Sequence, residues 1–233
     1  METKKKKIGF ILNPYAGIDN YKKIEKLLLE GCERTASKRA ESCMSKIADL
    51  TASLVAGDKG LVGEKNFSIL SAPGDMGEAL LKKLKIPCDV VLCPKADTSS
   101  AEDTKLCAQI MKEQRVDLLV FCGGDGTARD ICEAVGTDVT VLGIPAGVKM
   151  YSACYACNPY QAGEMLAGWL EGKEMSYEMR EVLDIEEKDL DFRNVSPQLY
   201  GFLEVLSDGK HLQKAKELDL GSGESATIIA RAA

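Results

Sequence analysis

The sequence predicts an α/β fold, a parallel sheet wrapped by helices, on three observations. Short apolar runs alternate with segments of helical periodicity. Those runs are nearly continuous in Ile, Val, Leu and Phe, as expected of strands covered on both faces. A glycine cluster stands directly after one of them, where a strand-to-helix turn belongs. The 233 residues, 45% hydrophobic and 28% charged, have the composition of an ordinary globular chain and allow one large domain or one and a half small ones. Disorder, collagen-like repeats and coiled-coil arrays are excluded on the same ground.

The first strand is expected at Lys7 to Leu12. Lys4 to Lys7 run directly into it, and the apolar stretch is too short for a signal-peptide core before Asn13-Pro14, so a cytoplasmic protein is expected. Tyr21 to Leu54 reads as two helices broken near Gly31, with Ile24, Leu27 and Leu28, then Met44, Ile47 and Leu50, at helical spacing. Gly57, Gly60 and Gly63 read as a linker in preference to a phosphate loop, because no strand and helix flank them closely. A strand at Phe67 to Ser71, a helix from Gly74 toward Lys85 and a strand at Asp89 to Leu92 follow. Ser99 or Ser100 then caps a helix ending near Gln114, with Glu102 and Asp103 at its positive end. Strands at Asp117 to Cys122 and Val139 to Gly143 close this part.

After Gly143 the pattern changes. Ile144 to Ser152 is a loop rich in special backbone residues, a helix spans Pro159 to Leu170 and ends at Gly172, and strands are expected at Tyr177 to Ile185 and Leu199 to Leu206. Residues 1–147 are therefore read as an α/β domain and 148–233 as the start of a β-rich C-terminal domain. That second sheet is cut short at Arg231-Ala232-Ala233, and a longer chain or a partner is expected to complete it.

Thirty Lys and Arg against 36 Asp and Glu give a net charge of −6, which argues against nucleic acid and acidic membrane surfaces as partners while leaving room for a local phosphate site. No apolar run approaches the ~18 residues of a membrane span. The nine cysteines, odd in number and scattered through strand-like segments, fit reduced core thiols better than disulfides. Cys154 and Cys157 have metal-ligand spacing, but His211 is the one histidine and no second pair exists to complete zinc's usual set of about four ligands. The single histidine also disfavours a Ser-His-Asp hydrolase.

The sharpest signal is Phe121-Cys122-Gly123-Gly124-Asp125-Gly126-Thr127-Ala128-Arg129-Asp130. Glycine lets a phosphate approach the backbone with no Cβ in the way, and the helix expected to begin at or just after Thr127 offers unpaired N–H groups to an anion. The spacing is not that of the common P-loop. A carboxylate among phosphate-binding amides can accept a proton from an attacking hydroxyl, as phosphoryl transfer to an alcohol requires; Asp125 otherwise serves as a helix cap. Asn13 is either a crevice residue or a turn residue before Pro14. Lys149, alone in an uncharged stretch, is a phosphate partner or a solvated loop lysine. Tyr151 and Ser152 bind ribose or phosphate, or Ser152 serves the backbone; Asp130 holds Mg²⁺ through water or caps its helix. Helix capping suffices to explain Asp103 and Thr104.

Gly123-Gly124-Asp125-Gly126-Thr127 resembles the signature of the superfamily that joins NAD kinases, diacylglycerol kinases and, more distantly, phosphofructokinases. Ala128-Arg129-Asp130, Gly143 to Ala153, Ile11-Leu12-Asn13-Pro14-Tyr15-Ala16-Gly17 and the Thr98 to Thr104 segment resemble its ATP- or polyphosphate-dependent NAD kinase-like branch, which includes AcoX-type proteins. The resemblance implies a Rossmann-like N-terminal domain, a β-rich C-terminal domain and a nucleotide site in the cleft between them. It implies a Mg²⁺-dependent kinase that phosphorylates the 2′-hydroxyl of NAD from ATP or polyphosphate, and a homo-oligomer. Asp125 is then the base, and Gly123, Gly124, Gly126 and Thr127 cradle phosphates. Two features depart from the branch: residues 18–65 read as helices where it carries a glycine-rich stretch, and the Asn-Glu pair of NAD kinases proper is not found. The alternatives are a catalytically silent nucleotide-binding protein of the same fold and a lipid or small-alcohol kinase of the diacylglycerol kinase type.

Overall fold

The computed structural model describes residues 5–18, 35–55, 67–93, 99–147, 150–184 and 198–213. The helix expected before Gly31, the glycines at 57, 60 and 63, Cys32, Thr98, Lys149 and the end of the chain lie outside these residues. Each apolar run of the first half becomes a strand. The strands are β1 (Lys6–Leu12), β2 (Phe67–Ser71), β3 (Asp89–Val90), β4 (Leu118–Gly123) and β5 (Val141–Pro145), followed by β6 (Ser176–Asp184) and β7 (Gln198–Ser207). They form one sheet in the order β3-β2-β1-β4-β5-β7-β6, parallel throughout except for the antiparallel β6–β7 pair.

Every residue of β4 is buried, which requires cover on both faces of the sheet and explains a run without polar alternation. The described helices supply it: α1 (Thr35–Val55), α2 (Glu78–Lys83), α3 (Ala101–Glu113), α4 (Asp125–Val135) and α5 (Pro159–Leu170). Ala36, Ala40, Cys43, Met44 and Ile47 make the buried stripe of α1 at the three- and four-residue spacing of an amphipathic helix. Helix α1 packs on α5, and α3 on α4. The first contact is close: a Cβ at Gly163 would lie 2.7 Å from the Cys43 carbonyl oxygen.

Three expectations shift. The single helix from Gly74 to Lys85 is a 3₁₀ turn at Gly74–Met76 and then α2, because Gly77 between them takes φ 153°. Strand β3 has two residues rather than four, and beyond it Leu92 is 95% exposed. Strand β5 begins at Val141 and runs through Pro145, which the ladder tolerates at its end; the N–H of the next residue, Ala146, donates to Gly123 O at 2.8 Å. Of the two candidate caps of α3, Ser100 is used, in a reciprocal box with Asp103. The β6–β7 hairpin continues the parallel sheet through the Val141–Val205 pair.

The chain winds outward from β1 to β2 and β3, then crosses back to β4 and β5. The order reverses between β1 and β4, which makes their carboxyl ends the switch point where open α/β sheets commonly place a ligand crevice. Asn13 follows one of these strands and Gly124 the other. Among the described residues the cysteines are all free thiols, no group of three or more metal-ligating side chains gathers, and no helix is long and apolar enough to cross a membrane.

Candidate active site

Four segments meet at the switch point. Asn13 Nδ2 donates to Thr127 Oγ1 at 2.9 Å, and Asn13 Oδ1 accepts from Tyr15 N–H at 3.0 Å. One side chain thus fixes its own turn and ties the β1 loop to the first turn of α4. Gly17, at φ 83°, closes the same turn, and a Cβ there would stand 2.5 Å from the Ala146 carbonyl oxygen. The turn after β1 therefore touches the loop after β5.

The glycines of the motif differ in what surrounds them. A Cβ at Gly123 would fall 2.3 Å from Thr127 Cβ, so this glycine is required by packing. Gly126 has nothing within 4 Å of a built Cβ and no left-handed backbone to explain it. Gly124 precedes α4 in extended backbone and has no side chain with which to cap it, whereas α3 and α5 are capped by Ser100 and Asn158. The first-turn N–H groups of α4 thus meet no cap from Gly124 at the mouth of the crevice, a polarity suited to an anion.

Asp125, the first residue of α4, does not cap its own helix. Its Oδ2 accepts from Tyr151 N–H at 2.8 Å and its Oδ1 from Ser152 N–H at 2.9 Å. One lone pair on each oxygen is spent, and a carboxylate has about four acceptor positions, so it can still take a proton from a hydroxyl. Ser152 is 1% exposed; its hydroxyl donates to Leu183 O and accepts from Leu183 N–H, both at 3.0 Å. That hydroxyl is committed to β6.

Two contributors were missed by sequence reasoning. Tyr155 is fully buried, and its hydroxyl donates at 2.6 Å to Gly124 O, which also accepts from Ala128 N–H as part of α4. Its ring stands edge-on to Phe121 at 5.4 Å and lies where a Cβ of Gly143 would fall. Burial raises its hydroxyl well above the ordinary value, so it remains a donor. Arg39 of α1 reaches across to donate to Pro145 O at 3.0 Å, setting a guanidinium near the carboxyl end of β5. Nothing in the sequence singled out Tyr155, and Arg39 was one charge in a charged helix.

Asp130 is 6% exposed and its Oδ1 has no hydrogen-bond partner, with Arg129 Nη2 at 3.5 Å as the nearest cation. Burial raises its carboxyl above the usual range, against the pull of Arg129 and Lys105. A single carboxylate with an unsatisfied oxygen fits Mg²⁺ that arrives on nucleotide phosphates, since that ion is commonly held by one or two carboxylates plus phosphates and water. It is too few ligands for a resident metal. A separate cavity of about 490 Å³ opens at the opposite, amino end of the strands, lined among others by Lys6, Asp117, Thr140, Trp169 and Glu204. None of the motif residues lines it.

The ATP-NAD kinase N-terminal domain family matches residues 8–174, from β1 through α5. The chain belongs to the ATP-NAD kinase family. That places it among phosphotransferases, in a family that generally uses ATP and a divalent metal ion. A search of curated proteins found no match. Within this family domain the glycine motif, the Asn13 turn and the Tyr151–Ser152 loop all fall inside the matched span.

Proposed function

We propose that this ATP-NAD kinase family member moves a phosphoryl group from ATP or polyphosphate to the 2′-hydroxyl of NAD, giving NADP, with Asp125 as base. The observation that carries the reading is a carboxylate on the first residue of a helix that its glycine N-cap leaves without a side-chain cap, at the switch point of the sheet. In the step proposed, the ribose hydroxyl proton passes to an Asp125 oxygen as the hydroxyl oxygen bonds to the terminal phosphorus. The bond from that phosphorus to the donor's bridging oxygen breaks, and the shortened phosphate leaves. The N–H groups of Tyr151 and Ser152 hold Asp125 in place. Gly123, Gly124, Gly126 and Thr127 line the phosphate path, and Asn13 locks Thr127. Lys149 keeps its role as a phosphate partner, and Tyr151 that of a ribose or phosphate contact. Ser152 enters through its N–H. Mg²⁺ supplies charge neutralisation on the phosphates, with Asp130 as its protein ligand. A cytoplasmic homo-oligomer with the α/β unit at 1–147 and the β-rich unit from 148 belongs to the same reading.

A second reading has an observation of its own. Both Asp125 oxygens already hold backbone amides, which suits a nucleotide-binding protein without turnover. The deciding experiment is a phosphoryl-transfer assay with Mg²⁺, offering NAD, NADH and small alcohols to ATP and polyphosphate, with Asp125→Asn beside the wild type and calorimetric titration of NAD and ATP. NADP formation that falls at least 100-fold in the variant while nucleotide binding persists is the expected result. Nucleotide binding with no product from any acceptor establishes the silent reading instead.

A further inference from the structure

Two cysteines outside the crevice stand sulfur to sulfur. Cys93 follows the short strand β3, and Cys107 lies on α3; their Sγ atoms are 3.4 Å apart. A disulfide bond is about 2.05 Å long, so the pair needs an approach of roughly 1.4 Å. Cys107 is fully buried on a helix packed against α4, and Cys93 is partly exposed. The motion therefore belongs to Cys93, whose backbone is held locally by one hydrogen bond from its N–H to Val91 O at 3.1 Å.

The other described cysteines lack this arrangement. Cys43, Cys122 and Cys154 are buried. Cys132 and Cys157 donate to the carbonyls of Phe202 and Leu212 at 3.6 and 3.3 Å. Among the described residues the one thiol–thiol hydrogen bond is that between Cys93 and Cys107.

We propose that Cys93 and Cys107 form a dithiol modification site that a hydroperoxide oxidises to an intramolecular disulfide. The order of events follows from exposure. Burial pushes the Cys107 thiol well up, which makes it a poor first nucleophile, so Cys93 meets the oxidant. The Cys93 sulfur attacks the peroxide, the O–O bond breaks, and Cys93 becomes a sulfenic acid as one water or alcohol leaves. Cys107 then attacks the Cys93 sulfur, the S–S bond forms, the S–O bond breaks, and the hydroxide takes the Cys107 proton as water. Two thiols lose two electrons and two protons, and one peroxide accepts both. A dithiol reductant reverses the change by thiol–disulfide exchange, becoming a disulfide itself. The crosslink pins the chain leaving β3 to α3, the helix packed on the one that carries Asp125.

The test treats the reduced protein with hydrogen peroxide until the exposed Cys157 begins to oxidise, then alkylates remaining thiols and maps tryptic peptides. The expected result is a link between peptides 86–95 and 106–112, reversed by dithiothreitol, with a thermal midpoint about 5–10 °C above that of the reduced protein. Cys93→Ser abolishes the link, while Cys88→Ser, altered in the same peptide, retains it. Recovery of 106–112 unlinked after Cys157 has reacted overturns the proposal, as does a link that survives Cys93→Ser. Neither outcome depends on kinase activity, and Cys93 is partly exposed, so its serine variant keeps the fold against which the map is read.

Discussion

Gly123 and Gly126 stand three positions apart and answer to different demands. The first leaves no room for a methyl group against Thr127, so Gly123→Ala is expected to destabilise the fold by about 1–3 kcal/mol or more, read by urea denaturation. The second faces open space, so Gly126→Ala is expected to change stability by less than about 0.5 kcal/mol. Its effect belongs to the ligand: a methyl group where phosphate approaches should weaken nucleotide binding at least tenfold by calorimetry. Unchanged affinity in this variant would remove Gly126 from the phosphate path. Asp130 presents the converse case, a charge that the interior tolerates poorly. Its carboxyl ordinarily titrates near 3.8 and is raised by burial, so between these values the folded chain holds a proton that the unfolded chain has released. This contribution to stability is present below that window and is lost as pH rises through it. Denaturation midpoints from pH 3.5 to 6 should show that fall in the wild type and lack it in Asp130→Asn.

Helix α4 takes its place through contacts that begin just before its first turn. Tyr155→Phe removes the hydroxyl from Gly124 O but leaves the Ala128 bond, and is expected to cost about 1 kcal/mol; Tyr155→Ala empties a buried ring and is expected to cost about 3–5 kcal/mol. Equal losses in the two variants would mean that the hydroxyl carries the whole role. The elements themselves were largely legible in the sequence. Phe67 to Ser71 is bounded as its apolar run implies and Pro159 marks the start of α5, because burial and backbone chemistry are local signals, whereas α4, expected at or just after Thr127, already starts at Asp125. The departures come from contacts that are not local. Val139 and Thr140 read as strand, yet the ladder starts at Val141, and Thr140 instead donates its hydroxyl to Glu204 of β7. The motif was legible as a strand-to-helix turn, but its supports were not. Asp125 looks like a helix cap from its position, and only the fold brings the amides of Tyr151 and Ser152 to it, 26 and 27 positions along the chain. Arg39 and Tyr155 carry no signal that separates them from an ordinary surface charge and an ordinary core aromatic.

Across the molecule, the two ends of the sheet are treated differently. At the amino end Lys6 lies over the Trp169 ring at 4.5 Å and donates to the Trp169 carbonyl, fastening β1 to the end of α5. At the carboxyl end the crevice loops fasten mainly to one another. The hairpin beyond the family match takes part as well: Leu183 grips Ser152, Glu181 O accepts from Ala153 N–H at 3.0 Å, and the neighbouring amide of Ser152 holds Asp125. The Asp125 carboxylate is thus coupled by a short chain of hydrogen bonds to a strand outside the matched span. The central position of β1 has a further consequence, for how the chain acquires its structure. Lys7 and Asp117, joined at the start of the β1–β4 pair, are 110 positions apart in sequence. During synthesis β1 emerges first and stays without one neighbour until β4 has left the ribosome, and the crevice cannot form before then. Parallel pairing at that separation is slow, and a nascent chain with Ile8, Phe10 and Ile11 uncovered is exposed to aggregation until β4 arrives.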